Sequence, residues 1–116
     1  MSIWLKVLWI ALSIYILLNL IVYLVQDFFY FHPEKLPQFF SYEYEGDLPV
    51  EEIFINLPDG SKINAIHFKI KNAKGVIFYF KGNTRSIKGW GKFSKDFLTK
   101  NYDFFMIDYP GFGKST

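Results

Sequence analysis

The sequence predicts an α/β fold behind an N-terminal transmembrane helix, and three observations predict it. An uncharged apolar run of twenty residues lies near the start, and two alternating segments separated by Pro58-Asp59-Gly60 follow it. Two near-continuous apolar runs then bracket a segment with helical period. The chain has 116 residues, 51% hydrophobic and 22% aromatic, which leaves room for one small domain besides the apolar run. Its formal net charge of +2 is spread without a basic stripe, so nucleic acid is not an expected partner. The absence of cysteine excludes a disulfide framework, a thiolate nucleophile and a Cys-based zinc site. Two histidines are too few for most His-built metal sites, and neither a metal nor a cofactor is expected.

The first element is the run VLWIALSIYILLNLIVYLVQ, Val7 to Gln26. At about 1.5 Å per residue it spans roughly 30 Å, the thickness of a bilayer's hydrocarbon core. Trp4, Trp9, Tyr23 and the run Phe28-Phe-Tyr-Phe31 place amphipathic rings near both expected interfaces. Residues 4–26 therefore read as a membrane span with the lipid bilayer as partner. The alternative, a core helix apolar all round, needs a domain large enough to surround it. Gln26, Asp27 and Phe28 follow the run where a cleavable signal peptide needs small residues, so the segment reads as a retained anchor. Lys6 and the amino terminus are positive on one side, while Asp27, Glu34 and Lys35 nearly cancel on the other. That bias predicts a cytoplasmic N-terminus and an extracytoplasmic domain.

Residues 27–48 contain Pro33, Pro37 and Gly46 without sustained periodicity and read as a tether lying over the domain or the membrane surface. His32 receives no role. The domain is expected over residues 49–116. Val50 to Leu57 alternates with Ile53, Ile55 and Leu57 on one face, and Ser61 to Ile70 alternates with Asn64, Ile66, Phe68 and Ile70 on one face. Pro58-Asp59-Gly60 between them predicts an antiparallel hairpin. His67 reads as a partly exposed strand histidine.

Val76 to Phe80 and Tyr102 to Ile107 are near-continuous apolar runs, the pattern of strands covered on both faces and usually parallel. Between them Ile87, Trp90, Phe93, Phe97 and Leu98 recur on one side, with Lys88, Lys92, Lys95 and Asp96 on the other, which predicts a helix. Strand, helix, strand of this length is a right-handed βαβ crossover.

The closing stretch, DYPGFGKST, ends in Gly113-Lys114-Ser115, the tail of a phosphate-binding loop. Such a loop requires its first glycine five residues before Gly113, where this chain has Asp108, and Pro110 removes one N–H from the cradle. A nucleotide-binding reading is therefore the weakest one. Taken together, GVIFYFKGNTRSIKGWGKF and YDFFMIDYPGFGKS resemble the α/β-hydrolase superfamily, closest to its serine-aminopeptidase-like, membrane-anchored branch. The resemblance covers about residues 50 to 116.

The resemblance implies the first four strands and first helix of a sheet ordered one, two, four, three, five, an incomplete fold. It implies that the backbone N–H of Asn83, with Thr84 beside it, contributes to an oxyanion hole. It also implies that Gly82 lets the chain turn there, and that Asp108, Gly111 and Gly113 shape the loop bracing the active-site edge. Lys81 stands where the family usually has histidine. Ser115 is expected to cap a following helix rather than to react. The family's serine lies on a Gly-x-Ser-x-Gly elbow after the fifth strand, and these residues contain no such pattern. His32 and His67 do not match its late histidine, so no member of a triad is present.

The sequence thus reads as the N-terminal fragment of a membrane-anchored serine hydrolase acting on a small ester or amide substrate, inactive by itself and using no cofactor. The alternative is a membrane-tethered, non-catalytic module.

Overall fold

The computed structural model describes residues 1–116, in two compact units, Met1–His32 and Pro33–Thr116. The first unit is helix α1, Ile3–Tyr30, which is long and apolar enough to cross a membrane, with a mean hydropathy of 2.4 over its most apolar window. A signal sequence near an N-terminus meets the same criterion of length and hydropathy. Ser2 caps the helix by accepting from the Leu5 N–H at 3.3 Å. Two of its polar side chains bond within the helix: Ser13 Oγ donates to Trp9 O and Asn19 Nδ2 to Tyr15 O, both at 2.8 Å. No backbone partner outside the segment is needed, which suits a lipid environment. The helix runs four residues beyond the expected span, through Asp27–Tyr30, and stops before Pro33, whose ring disfavours helical geometry at the preceding residue.

The second unit is built on a four-stranded sheet. Strands β1 (Val50–Asn56) and β2 (Lys62–Phe68) form the expected hairpin, in register Ile53 to Ala65. The turn is held by Leu57 N donating to Ser61 O at 2.8 Å, by the Asp59 carboxylate accepting from Ser61 N at 2.9 Å, and by Gly60 at φ 85. Strand β3 (Val76–Tyr79) lies parallel to β4 (Asp103–Ile107), and β4 lies antiparallel to β2. The order is β1-β2-β4-β3, with β3 at an edge. This is an α/β fold with a crossover between parallel strands, as the apolar runs predict.

The crossover is not one helix. It is α2 (Ile87–Trp90), a 3₁₀ turn (Gly91–Phe93) and α3 (Ser94–Leu98). Gly89 and Gly91 lower helix propensity, and Gly91 lies so close to the Tyr44 ring that a Cβ there would overlap it. The predicted stripe survives the break. Ile87 and Leu98 are buried, Trp90 and Phe97 pack against the core with Phe93 against the Trp90 and Tyr79 rings, and Lys88, Lys92, Lys95 and Asp96 are exposed.

The core lies between the crossover and one face of the sheet, where Ile66, Phe68, Phe104 and Met106 are fully buried. The pairing register puts Glu52 and Phe54 of β1 on that face, so Ile53 and Ile55 fall on the opposite one. The opposite face is only partly covered. Phe78 stacks on Phe105 at 5.2 Å yet stays 45% exposed, so the apolar runs of β3 and β4 are not enclosed on both sides as expected. Residues 33–48 carry little regular structure and pack against the core: Tyr42 is buried, and Leu36, Phe40, Tyr44 and Leu48 lie against it.

Candidate functional site

Parallel pairing of β3 with β4 aligns Phe78 with Phe105 and Tyr79 with Met106. Two residues further on, Lys81 and Asp108 leave the sheet level with one another. Their side chains meet: Lys81 Nζ lies 3.7 Å from Asp108 Oδ1, and both side chains are wholly shielded from solvent. The ammonium also sits 3.8 Å from the centre of the Phe112 ring and 4.6 Å from that of Tyr109. Tyr109 OH donates to Lys81 O at 2.6 Å. The loops following β3 and β4 are thereby stapled together at one end of the sheet.

Asp108 is the hub. Its Oδ1 accepts from the N–H of Ile87, the first residue of α2, at 3.0 Å. Its Oδ2 is buried with no hydrogen-bond partner, against Gly113. Burial pushes this carboxyl up to about 6, opposed in part by the Lys81 charge and the Ile87 N–H, and burial lowers the Lys81 ammonium in turn. The two loop-shaping glycines, Gly111 at φ 83 and Gly113 at φ 52, occupy the left-handed region that only glycine enters freely. A Cβ on Gly113 would overlap the Asp108 carboxylate.

Asn83 is exposed and Thr84 half-buried on the loop leaving β3. Gly82 is required there for a different reason from the expected one. Its φ lies outside the left-handed region, and a Cβ would stand 2.8 Å from Trp90 Cζ2. Close approach of the indole, rather than a sharp turn, demands the glycine. Trp90 Nε1 donates to Thr84 O at 3.0 Å and holds the ring against the loop. Arg85 follows at φ 56, and Ser86 Oγ donates to Glu34 Oε2 at 2.7 Å.

Ser115 is buried in the closing loop. Its Oγ accepts from Asn64 N at 2.9 Å and donates to Asp108 O at 2.8 Å, clipping the closing loop to β2. Lys114 is buried as well, with Nζ donating to Phe40 O and to Glu52 Oε1 at 2.7 Å. Asn64 Nδ2 donates to the same Glu52 oxygen at 2.8 Å, and Tyr42 OH donates to Asn64 Oδ1 at 2.6 Å. Burial and the nearby Asp108 and Glu52 charges push the Tyr42 phenol far up, so it stays a donor. With its ammonium engaged inside the fold, Lys114 cannot serve a phosphate loop, which corrects the nucleotide reading.

No serine here touches a histidine. His67 Nε2 lies 3.3 Å from Asp103 Oδ2, on the sheet face opposite the crossover, with Phe105 against its ring. The Lys81–Asp108 and Lys114–Glu52 pairs were not anticipated from sequence. The first was recoverable, because two parallel strands that end together must place the residues following them side by side.

No protein-family model matches the chain, and no curated protein matches it significantly. Among solved structures, an esterase of Pyrococcus furiosus, known in two crystal forms, is similar in fold. The TM-scores are 0.48 and 0.47 at 20% and 18% identity, over 72% and 71% of this chain. The chain spans about a third of that esterase's length, 33% and 34% in the two forms.

Proposed function

We propose that this chain is the N-terminal portion of a membrane-anchored α/β-hydrolase of the serine-aminopeptidase-like branch, acting on an ester or amide. In this reading residues 4–26 anchor the protein in the bilayer, the domain lies outside the cytoplasm, and the N–H groups of Asn83 and Thr84 supply part of the oxyanion hole. The supporting observation is the junction of the two loops. Strand order β1-β2-β4-β3 brings the ends of β3 and β4 together, and the buried Lys81–Asp108 pair holds the Asn83–Thr84 loop at that end. An oxyanion donor acts through pre-organisation, and a loop fixed on two sides by Trp90 and Lys81 is pre-organised. In this reading Lys81 stands where the family has histidine, with its side chain turned inward to Asp108, and what is asked of Asn83 is a backbone N–H that does not depend on the residue at position 81.

The nucleophile, acid and base of this reading would come from residues beyond Thr116. Sequencing the DNA downstream of the Thr116 codon tests it: a Gly-x-Ser-x-Gly in a continuing frame is expected, and an immediate stop with a stably accumulating product would favour the non-catalytic module instead. In the extended protein, Asn83→Pro, which deletes the donor N–H, is expected to cut kcat by about 10²- to 10³-fold, whereas Asn83→Ala leaves it nearly unchanged. Equal activities of the two variants would remove Asn83 from the oxyanion hole.

A further inference from the structure

Between the loop at Thr84–Arg85 and the turn at Gly89–Phe93 lies a pocket of about 210 Å³, lined by Thr84, Arg85, Gly89, Trp90, Lys92 and Phe93. Its apolar wall is a pair of aromatic rings, Trp90 and Phe93, with centroids 5.8 Å apart. The indole is not free to swing away, because its Nε1 is bonded to Thr84 O and its edge abuts Gly82. The polar part of the wall is cationic. Lys92 Nζ stands 5.3 Å from the Phe93 ring, and Arg85 is the chain's single arginine. Neither has a carboxylate partner, whereas Lys69, Lys81, Lys88, Lys95 and Lys114 each have one.

The backbone at Arg85 makes its identity informative. At φ 56 it sits in the left-handed region, where glycine or asparagine is the low-energy choice and a long side chain is strained. An arginine at a backbone position that favours glycine points to a task for its side chain, and Arg85 lines the pocket.

We infer that this pocket binds a small anionic molecule with an apolar body, its oxyacid group held by Arg85 and Lys92 and its body laid on Trp90 and Phe93. The volume lies below the range usual for drug-sized ligands and suits a single ring or a short acyl chain. Arg85 offers a planar fork to two oxygens of a carboxylate or phosphate, and Lys92 adds a second charge beside it. Thr84 belongs both to this pocket and to the proposed oxyanion loop, so the occupant would be the anionic end of the substrate. That last identification rests on the hydrolase reading. The binding itself does not, since it is measured without turnover.

The test uses the full chain in neutral detergent, with phenyl phosphate as probe and benzyl alcohol and inorganic phosphate as its two halves, followed by titration calorimetry and ligand-observed NMR. Saturable binding of phenyl phosphate is expected, with each half about tenfold weaker or worse. Arg85→Gly, which suits the local φ and so preserves the fold, and Lys92→Gln, on the exposed side of the turn, should each weaken phenyl phosphate about tenfold, while Lys71→Gln does not. Repeating the titration in nanodiscs separates two sources of the same chemistry. Equal binding in phosphatidylcholine and phosphatidylglycerol discs assigns the pocket to a soluble anion, and loss in phosphatidylglycerol discs assigns it to a lipid headgroup. Binding unaffected by both variants, or benzyl alcohol binding as well as phenyl phosphate, overturns the inference. Either result leaves the downstream search for a nucleophile elbow unaffected.

Discussion

The Asp108 side chain ties the closing loop, to which it belongs, to the β3 loop through Lys81 and to the start of α2 through the Ile87 N–H. Asp108→Ala would leave the buried Lys81 ammonium without a counter-charge, with only Gly82 O at 3.3 Å and the Phe112 and Tyr109 rings against it, and the Ile87 N–H unpaired, a loss of about 3 kcal/mol. Denaturant unfolding in detergent measures it, and a loss under about 1 kcal/mol would mean that water reaches Lys81. The carboxyl also has a pH signature. Its folded value of about 6 lies above the ordinary 3.8, so the native state holds that proton more tightly than the unfolded chain. Its stabilising contribution is complete below about 3.8 and is lost as pH rises through about 6. The stability difference between wild type and Asp108→Asn should therefore shift against the wild type from pH 4 to pH 6. A difference independent of pH there would place the carboxyl in water. Gly113→Ala combines a strained φ with overlap on Asp108 and should cost about 3 kcal/mol, more than an ordinary surface Gly→Ala change.

Among elements, the connector of residues 33–48 and the broken crossover explain one another. Tyr44 OH donates to Ile87 O at 2.9 Å, and its ring fills the space that a side chain at position 91 would need. A continuous helix with a bulkier residue at 91 would expel the connector; the 3₁₀ turn with glycine admits it. Gly91→Ala and Tyr44→Ala should each destabilise the domain, and the double variant should cost less than their sum by about 1 kcal/mol or more, because the same overlap is relieved only once. Additive costs would show that the two residues do not compete for that space. Lys114 pins the same connector from the other end through Phe40 O.

For the molecule as a whole, the sheet has an edge at β3 and an open apolar face. Phe78 and Phe80 pack edge to face at 4.7 Å, and Phe80 is 68% exposed. An apolar edge strand with unpaired N–H and C=O groups recruits other chains. The purified chain should associate in a concentration-dependent way on a sizing column, and Phe80→Lys should raise the monomer share; a monodisperse wild-type monomer would contradict this. A fluorophosphonate probe should leave Ser86, Ser94 and Ser115 unlabelled, since all three are buried and none is bonded to a histidine. The helix of residues 3–30 should hold the chain in membranes through alkaline carbonate washing, and release into the soluble fraction would count against a span.

What the sequence determined by itself were the features set by local chemistry. The uncharged run dictates a long apolar helix, Pro58-Asp59-Gly60 dictates the hairpin, and the apolar runs at 76–80 and 102–107 dictate two strands, because each signal lies within a few residues of the structure it specifies. Tertiary structure alone decided the register that sends Ile53 and Ile55 away from the core and puts Glu52 on the core-side face, where its partly exposed carboxylate meets Lys114, since a shift of one residue in strand pairing exchanges the two faces. It also decided that Gly82 makes room for Trp90, that Gly91 makes room for Tyr44, and that Lys114 turns inward to Glu52. Each of these is a contact between residues distant in the chain. A glycine reads the same in sequence whether it serves a positive φ or a neighbour's ring, and a lysine reads the same whether it meets solvent or a buried carboxylate; only the packed neighbour distinguishes them.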